Sequence, residues 1–138
     1  MLPSLIALST LALAIAGPSK GLPAEYVLMH PVEVQIAEET NRERVKHGLK
    51  PLRIDWELVT SARRHTSWMA TNHALQHTSE AVAENIAMGQ SSAAAAVAAW
   101  MNSRGHRANL LNRGNRRLGV AAYTASDGTI YWCQQFLP

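Results

Sequence analysis

Three separated points of the chain carry the side chains with the widest chemical reach. "LQHTS" supplies His77, "AENIAMG" supplies Glu84 and Asn85, and "RGHRAN" supplies His106, with Asn109 about one helical turn further on. None of them falls on a regular apolar face, and the small residues around them would let each line a cleft. Two imidazoles and one carboxylate are the ligand types of an open zinc site, in which His77, Glu84 and His106 would hold the metal and water would take the fourth position. They are equally the groups a hydrolase uses for general acid–base work. The spacings of 7 and 22 residues fix no geometry. A third reading, two surface histidines and a glutamate that binds backbone amides, stays open at this level.

Two other arrangements are weaker. Ser103 lies three residues before His106, as a nucleophile and its base might lie, but no G-x-S-x-G elbow is present and no carboxylate in the stretch orients the imidazole. Ser103 therefore reads as a local cap for the turn after Asn102. His73 and His77 are four apart and would share a helix face, but they lack the glutamate of H-E-x-x-H. His65 and His73 read as partly buried helix residues.

The elements that must position these groups follow from periodicity and punctuation. Residues 32–47 predict a helix with Val34, Ala37, Asn41 and Val45 on one face and Ile36 off it. Gly48 and Pro51 end it. A second helix starts at the N-cap Asp55, with Glu57 in its first turn, Trp56 at its entry, and Leu58, Ala62, His65 and Met69 on one face. "SSAAAAVAAWMN" predicts a third, capped by Ser91 or Ser92 and anchored by Val97, Trp100 and Met101. After Asn115 the period shortens. "RRLGVAAYT" and "TIYWCQQF" flank "ASDG", whose Asp127-Gly128 is a strong hairpin signal. Helices first and a hairpin last indicate an α+β fold.

Composition bounds the rest. The 138 residues suit one domain, and 47% apolar residues with four Trp suffice for a real core. "MLPSLIALSTLALAIAG" is apolar, too short to span a bilayer comfortably, and ends in an A-x-A-like signal. It reads as a secretory signal peptide over residues 1–16. A retained anchor is the alternative, because no Lys or Arg precedes the apolar run. Removing these residues deletes no charged side chain, so the formal net charge stays +3. Residues 17–31, rich in Pro and Gly, read as a linker, and 32–138 as the domain. A lone cysteine, Cys133, allows no intramolecular disulfide and reads as a small buried hydrophobe. The arginines of the middle and later chain could face an anionic polymer or lipid headgroup, or simply form a solvated surface. No aromatics interleave with them, so no nucleic-acid partner is expected.

Taken in order, "IAEETNRERVKHGLKPL", "DWELVTSARRHTSWMA", "HTS", "AENIAMG", "AAWMNSRGHRANLL", "RLGVAAY" and "GTIYWCQQF" resemble the CAP superfamily, the SCP domains of cysteine-rich secretory proteins, antigen 5 and plant pathogenesis-related proteins. The likeness runs from about residue 36 to 136 and is nearest to the short bacterial members. It implies a three-layer α-β-α sandwich around a small antiparallel sheet. It also implies a cleft lined by two His and two Glu. His77, Glu84 and His106 match three of these, with Asn85 after the glutamate. The second Glu, usual in W-x-x-E, is replaced in Trp100-Met101-Asn102-Ser103. Asn41 and Arg44 match an N-x-x-R that buttresses the fold. Gly105 would end the helical region and let backbone pass near the cleft wall, with His106 pointing inward and a short helix from Arg107 bracing it.

Members of the superfamily have been linked to lipid or sterol binding, to signalling, and to occasional protease or nuclease activity. The resemblance thus implies a protein of the extracellular space or cell envelope. The expected function is a non-enzymatic binding module whose cleft takes zinc and whose ligand is a lipid or anionic polymer. The alternative is a metal-assisted hydrolase of envelope or extracellular polymers, with Glu84 as general base. A purely structural envelope protein is the third class.

Overall fold

A computed structural model describes residues 23–138. The expected signal peptide lies outside the described residues. Helix α1 spans Pro31–Lys46. Its first helical residue is a proline, which loses no hydrogen bond there, and Glu33 accepts from the His30 amide at 2.8 Å. Before it, a single 3-10 turn over Ala24–Tyr26 buries Tyr26, and Met29 is buried as well. This part of the expected linker therefore packs with the domain. At the far end of α1 the Leu49 amide donates to the Arg44 carbonyl and the Gly48 amide to that of Val45. Gly48 has φ +74°, which closes the helix with a Schellman motif where a Cβ would be strained.

Strand β1 is two residues, Arg53–Ile54, and α2 follows over Trp56–Asn72. The Asp55 carboxylate accepts from the Glu57 and Leu58 amides, as a good N-cap should. Strand β2 is Ala83–Met88, α3 is Ala93–Met101, α4 is Arg104–Leu110, β3 is Arg117–Thr124 and β4 is Ile130–Leu137. Ser92 caps α3 by accepting from the Ala95 amide at 3.1 Å. The β3–β4 hairpin turns at Asp127-Gly128, with Gly128 at φ +88° and Asp127 accepting from the Thr129 amide.

The sheet runs β1-β3-β4-β2. Its three long strands are antiparallel, as expected, while the short β1 pairs parallel to β3 at one edge. Helix α2 packs on β3 and β4, and α1 packs on α3 and β3, with α4 against α3 and β2. Side chains alternate across each strand, so the sheet has two faces with two cores. One holds Leu118, Val120, Trp132 and Phe136 with Ile36, Val97, Trp100 and Leu110 from the helices. The other holds Ala121, Tyr131 and Cys133 with Ala62, Met69 and Ala70 of α2. The α+β fold with three layers agrees with the expectation from sequence.

Some local readings change. Ile36, placed off the α1 stripe, is fully buried, and Val45, placed on it, is exposed. Packing of α1 against two neighbours at once widens its buried arc. His73 is neither helical nor partly buried: it closes α2 in the left-handed region at φ 47° with its side chain in solvent. The helix ends before it, so His73 and His77 share no helix face. Ser103 occupies the N-cap position of α4, but its side chain makes no capping bond. Gly105 does not end a helix. It is the second residue of α4, and a Cβ there would meet nothing within 4 Å, so no close backbone approach explains it.

Candidate functional site

Strand β2 is the element that organises the site. Consecutive residues point to opposite faces of a strand, so Glu84 and Asn85 enter different layers. Glu84 faces α2 and Asn85 faces α4. Both are buried, and both are held by several partners.

Glu84 lies below the loop that follows α2. Its Oε1 accepts from the Thr78 amide at 2.9 Å and lies 2.8 Å from Nδ1 of His77. Its Oε2 accepts from Nε2 of Gln135 at 3.0 Å and from the Cys133 thiol at 3.5 Å. A carboxylate offers about four acceptor positions, and protein donors take them here. Because a carboxylate only accepts, the proton of the His77 contact sits on Nδ1. That leaves the Nε2 lone pair of His77 directed elsewhere, on a side chain that is 62% exposed. Cys133 is the small buried residue expected. Burial pushes its thiol pKa well up, and the neighbouring Glu84 charge adds to that.

Asn85 joins a second network on the other face. Its amide donates to the His106 carbonyl at 2.9 Å and to Oε1 of Gln134 at 3.0 Å, while its Oδ1 accepts from Asn109 at 3.0 Å. Asn109 also donates to the Glu84 carbonyl. Helix α4 is thereby pinned along β2, which fixes where the His106 side chain emerges. The short helix expected from Arg107 begins at Arg104, and Asn109 lies within it. Burial, and secondly the charge of His77, hold the His106 imidazole below its ordinary pKa. The two rings are near enough to influence each other.

His77 and Glu84 are thus in direct contact, and Asn85 holds the His106 backbone. Among the described residues no group of three or more His, Cys, Asp or Glu side chains is placed to hold a metal ion. The Glu84 oxygens already serve protein donors.

His65 is a partner that its helix position did not reveal. Its Nε2 donates to the Gln76 carbonyl at 2.6 Å and lies 3.9 Å from Oε1 of Glu84. Gln134 and Gln135 were also missed as site residues. A pair of glutamines inside the apolar run "IYWCQQF" was the available signal, since buried amides need partners.

The supporting residues behave as buttresses. Asn41 exchanges two hydrogen bonds with the Leu52 backbone, at 2.7 and 3.0 Å. The fully buried Arg44 donates to the carbonyls of Lys50, Leu110 and Asn112, tying α1 to the end of α4. Trp100 is buried and donates its indole N–H to the Ile86 carbonyl at 3.0 Å. No described helix is long and apolar enough to cross a membrane.

The chain is similar to several known proteins. The YkwD protein of Bacillus subtilis is 40% identical over 122 residues, which is 76% of this chain and 46% of that protein. An extracellular SCP-domain protein of Bacillus anthracis, solved as a crystal structure, is 31% identical with a TM-score of 0.68, covering 76% of this chain and 39% of that one. The chain thus spans less than half the length of either. The crystal structure of NaASP2 with Zn2+ shares the fold at 18% identity, with a TM-score of 0.63 over 88% of this chain and 83% of that one. Residues 37–136 match the model of the cysteine-rich secretory protein family, and with that match and the YkwD relative the chain belongs to this family.

Proposed function

We propose that this chain is a secreted, non-enzymatic binding module whose cleft takes a divalent metal through His77 and His106. The observation that carries the reading is the saturation of Glu84. Its oxygens accept from Thr78, His77, Gln135 and Cys133, so it is committed to orienting His77. A carboxylate behind the far nitrogen of a ligating imidazole fixes its tautomer and raises its basicity. Glu84 fits that supporting role. It does not fit the role of a third ligand, nor that of a free general base.

A hydrolase would need another base. Ser103 stands where the family pattern places a second glutamate, so the chain supplies none at that position. The metal-assisted hydrolase of envelope polymers is therefore the less supported alternative. Secretion rests on the apolar segment over residues 1–16 and on the likeness to an extracellular protein. A site of two imidazoles completed by water is weaker than the three- and four-ligand sites of zinc proteins. Calorimetric titration of zinc into wild type, H77A, H106A and S103A tests the reading. Both histidine variants should lose the heat of binding, and S103A should keep it. Equal affinity in wild type and H106A would leave His77 and His106 as a hydrogen-bonded structural cluster.

A further inference from the structure

Beside the histidine–glutamate cluster, α2 and the 76–80 segment line a hollow of about 490 Å3. Its size is that of a small-ligand site. The floor is aromatic. The Trp68 indole and the His65 imidazole stack at 5.9 Å between ring centroids and 7° between planes. His65 is nearly buried and anchored to the Gln76 carbonyl, so it backs the indole rigidly. Trp68 itself remains 42% exposed, so its indole is accessible to a ligand.

The walls are polar and electrically balanced. Ser61, Gln76 and Thr78 offer both donors and acceptors. Arg64 and Glu80 lie 3.9 Å apart, with both side chains largely in solvent. A second hollow of about 210 Å3, to which Asp55, Glu57, Leu58 and Val82 contribute, shares Ser61, Arg64 and Glu80 with the first. The two hollows meet at these three residues, which suits an extended ligand.

We propose that this groove binds an uncharged saccharide chain, with one sugar ring stacked on Trp68. A pyranose presents C–H faces to an aromatic plane and hydroxyls around its rim, which suits an indole floor with hydroxyl and amide walls. A lipid chain would require a predominantly apolar lining. A polyanion would require a cationic lining, and Arg64 stands here among Glu80, Asp55 and Glu57. The pre-stacked His65–Trp68 platform lowers the ordering cost of binding. This inference goes beyond the metal reading and rests on separate residues, although His77 borders both.

The test is calorimetric titration of the folded protein with chitotetraose and cellotetraose, alongside polyglutamate and phosphatidylglycerol vesicles. Tryptophan emission is followed in parallel. At least one neutral tetrasaccharide should bind. W68A should weaken it at least about tenfold, W68F should restore part of the loss, and Q76A should cost about two- to fivefold. H106A should bind saccharide normally while losing zinc, and W68A should bind zinc normally, so the two proposals fail separately. Because Trp68 is exposed, W68A should melt near the wild-type temperature, and its melting curve verifies folding. Failure of both tetrasaccharides to bind, binding only of the anionic probes, or equal saccharide affinity in folded W68A would overturn the proposal.

Discussion

The two faces of the sheet are built on different principles. Beneath α1, α3 and α4 the core is made of large side chains, with Trp100, Trp132 and Phe136 filling space between layers. Beneath α2 small residues predominate, with Ala62, Ala70, Ala121, Ala125 and Cys133 around Met69, Ile86 and Tyr131. There the helix lies so close to the sheet that a Cβ on Gly119 would come within 2.2 Å of the Leu58 backbone. Close approach of α2 brings His65 within reach of Glu84 and leaves the rim of that layer open as a groove. The large-residue face holds the domain together. The polar cluster around Glu84 has an exposed edge at His77, while the one around Asn85 on the large-residue face lies under α4.

If this contrast is right, the greatest loss of stability should come from the large-residue face. Trp100→Ala removes a buried indole and its bond to Ile86, and should cost about 3–5 kcal/mol in urea unfolding. A loss under about 1 kcal/mol would break the comparison at its stronger side. On the other face the sensitive change is an added methyl group. Gly119→Ala should cost about 2–3 kcal/mol, the upper part of the overpacking range, because backbone cannot yield as a side chain tip can. An unchanged unfolding midpoint would mean that α2 can move off the sheet.

Local signals in the sequence carried over well, and long-range ones did not. The Asp55 and Ser92 caps, the Gly48 helix end and the Asp127-Gly128 hairpin each depend on a few neighbouring residues, so they were legible. The buried arc of α1 was not, because which side of a helix is covered depends on how many elements pack on it. Ile36 and Val45 exchanged roles for that reason. The parallel β1 edge is two residues long, too short to leave a period. At the site, family-like motifs pointed to His77, Glu84, Asn85 and His106. Their spacing could not tell that Glu84 would be used up by Thr78, Gln135 and Cys133, since Gln135 and Cys133 reach it through strand pairing between β2 and β4 and Thr78 through the loop after α2. The same limit hid His65, whose partners lie on another element.

The adjacent pair Glu84 and Asn85 offers a sharper probe of the two faces. Asn85→Ala strips partners from the His106 carbonyl, Gln134 and Asn109 in a fully buried place. It should cost about 1–3 kcal/mol. Glu84→Gln keeps the shape and one acceptor oxygen, so it should cost less stability. It should nevertheless weaken zinc about tenfold, as loss of a supporting carboxylate does. Unfolding curves and zinc titrations on both variants give the crossed pattern. Loss of zinc affinity in neither variant would show that the α2-facing network does not orient His77.

The smallest expected effect is a pH dependence at the edge between the faces. Burial first, and the charge of His77 second, hold the folded-state pKa of His106 below its ordinary value of 6.5. In the unfolded chain that residue returns to about 6.5. Between the two values the unfolded chain binds more protons, so stability rises with pH across that window. The contribution of His106 is complete above about pH 6.5, declines as the pH falls through that value, and stops declining below the folded pKa. Without zinc, the wild-type protein should therefore lose more stability between about pH 7.5 and about pH 5.5 than His106→Asn, whose side chain does not titrate. His77→Asn should flatten the profile less than His106→Asn flattens it, because burial is the larger cause. Equal slopes for wild type and His106→Asn would show that the imidazole is as well solvated in the folded chain as in the unfolded one, and that α4 does not press it against the cleft.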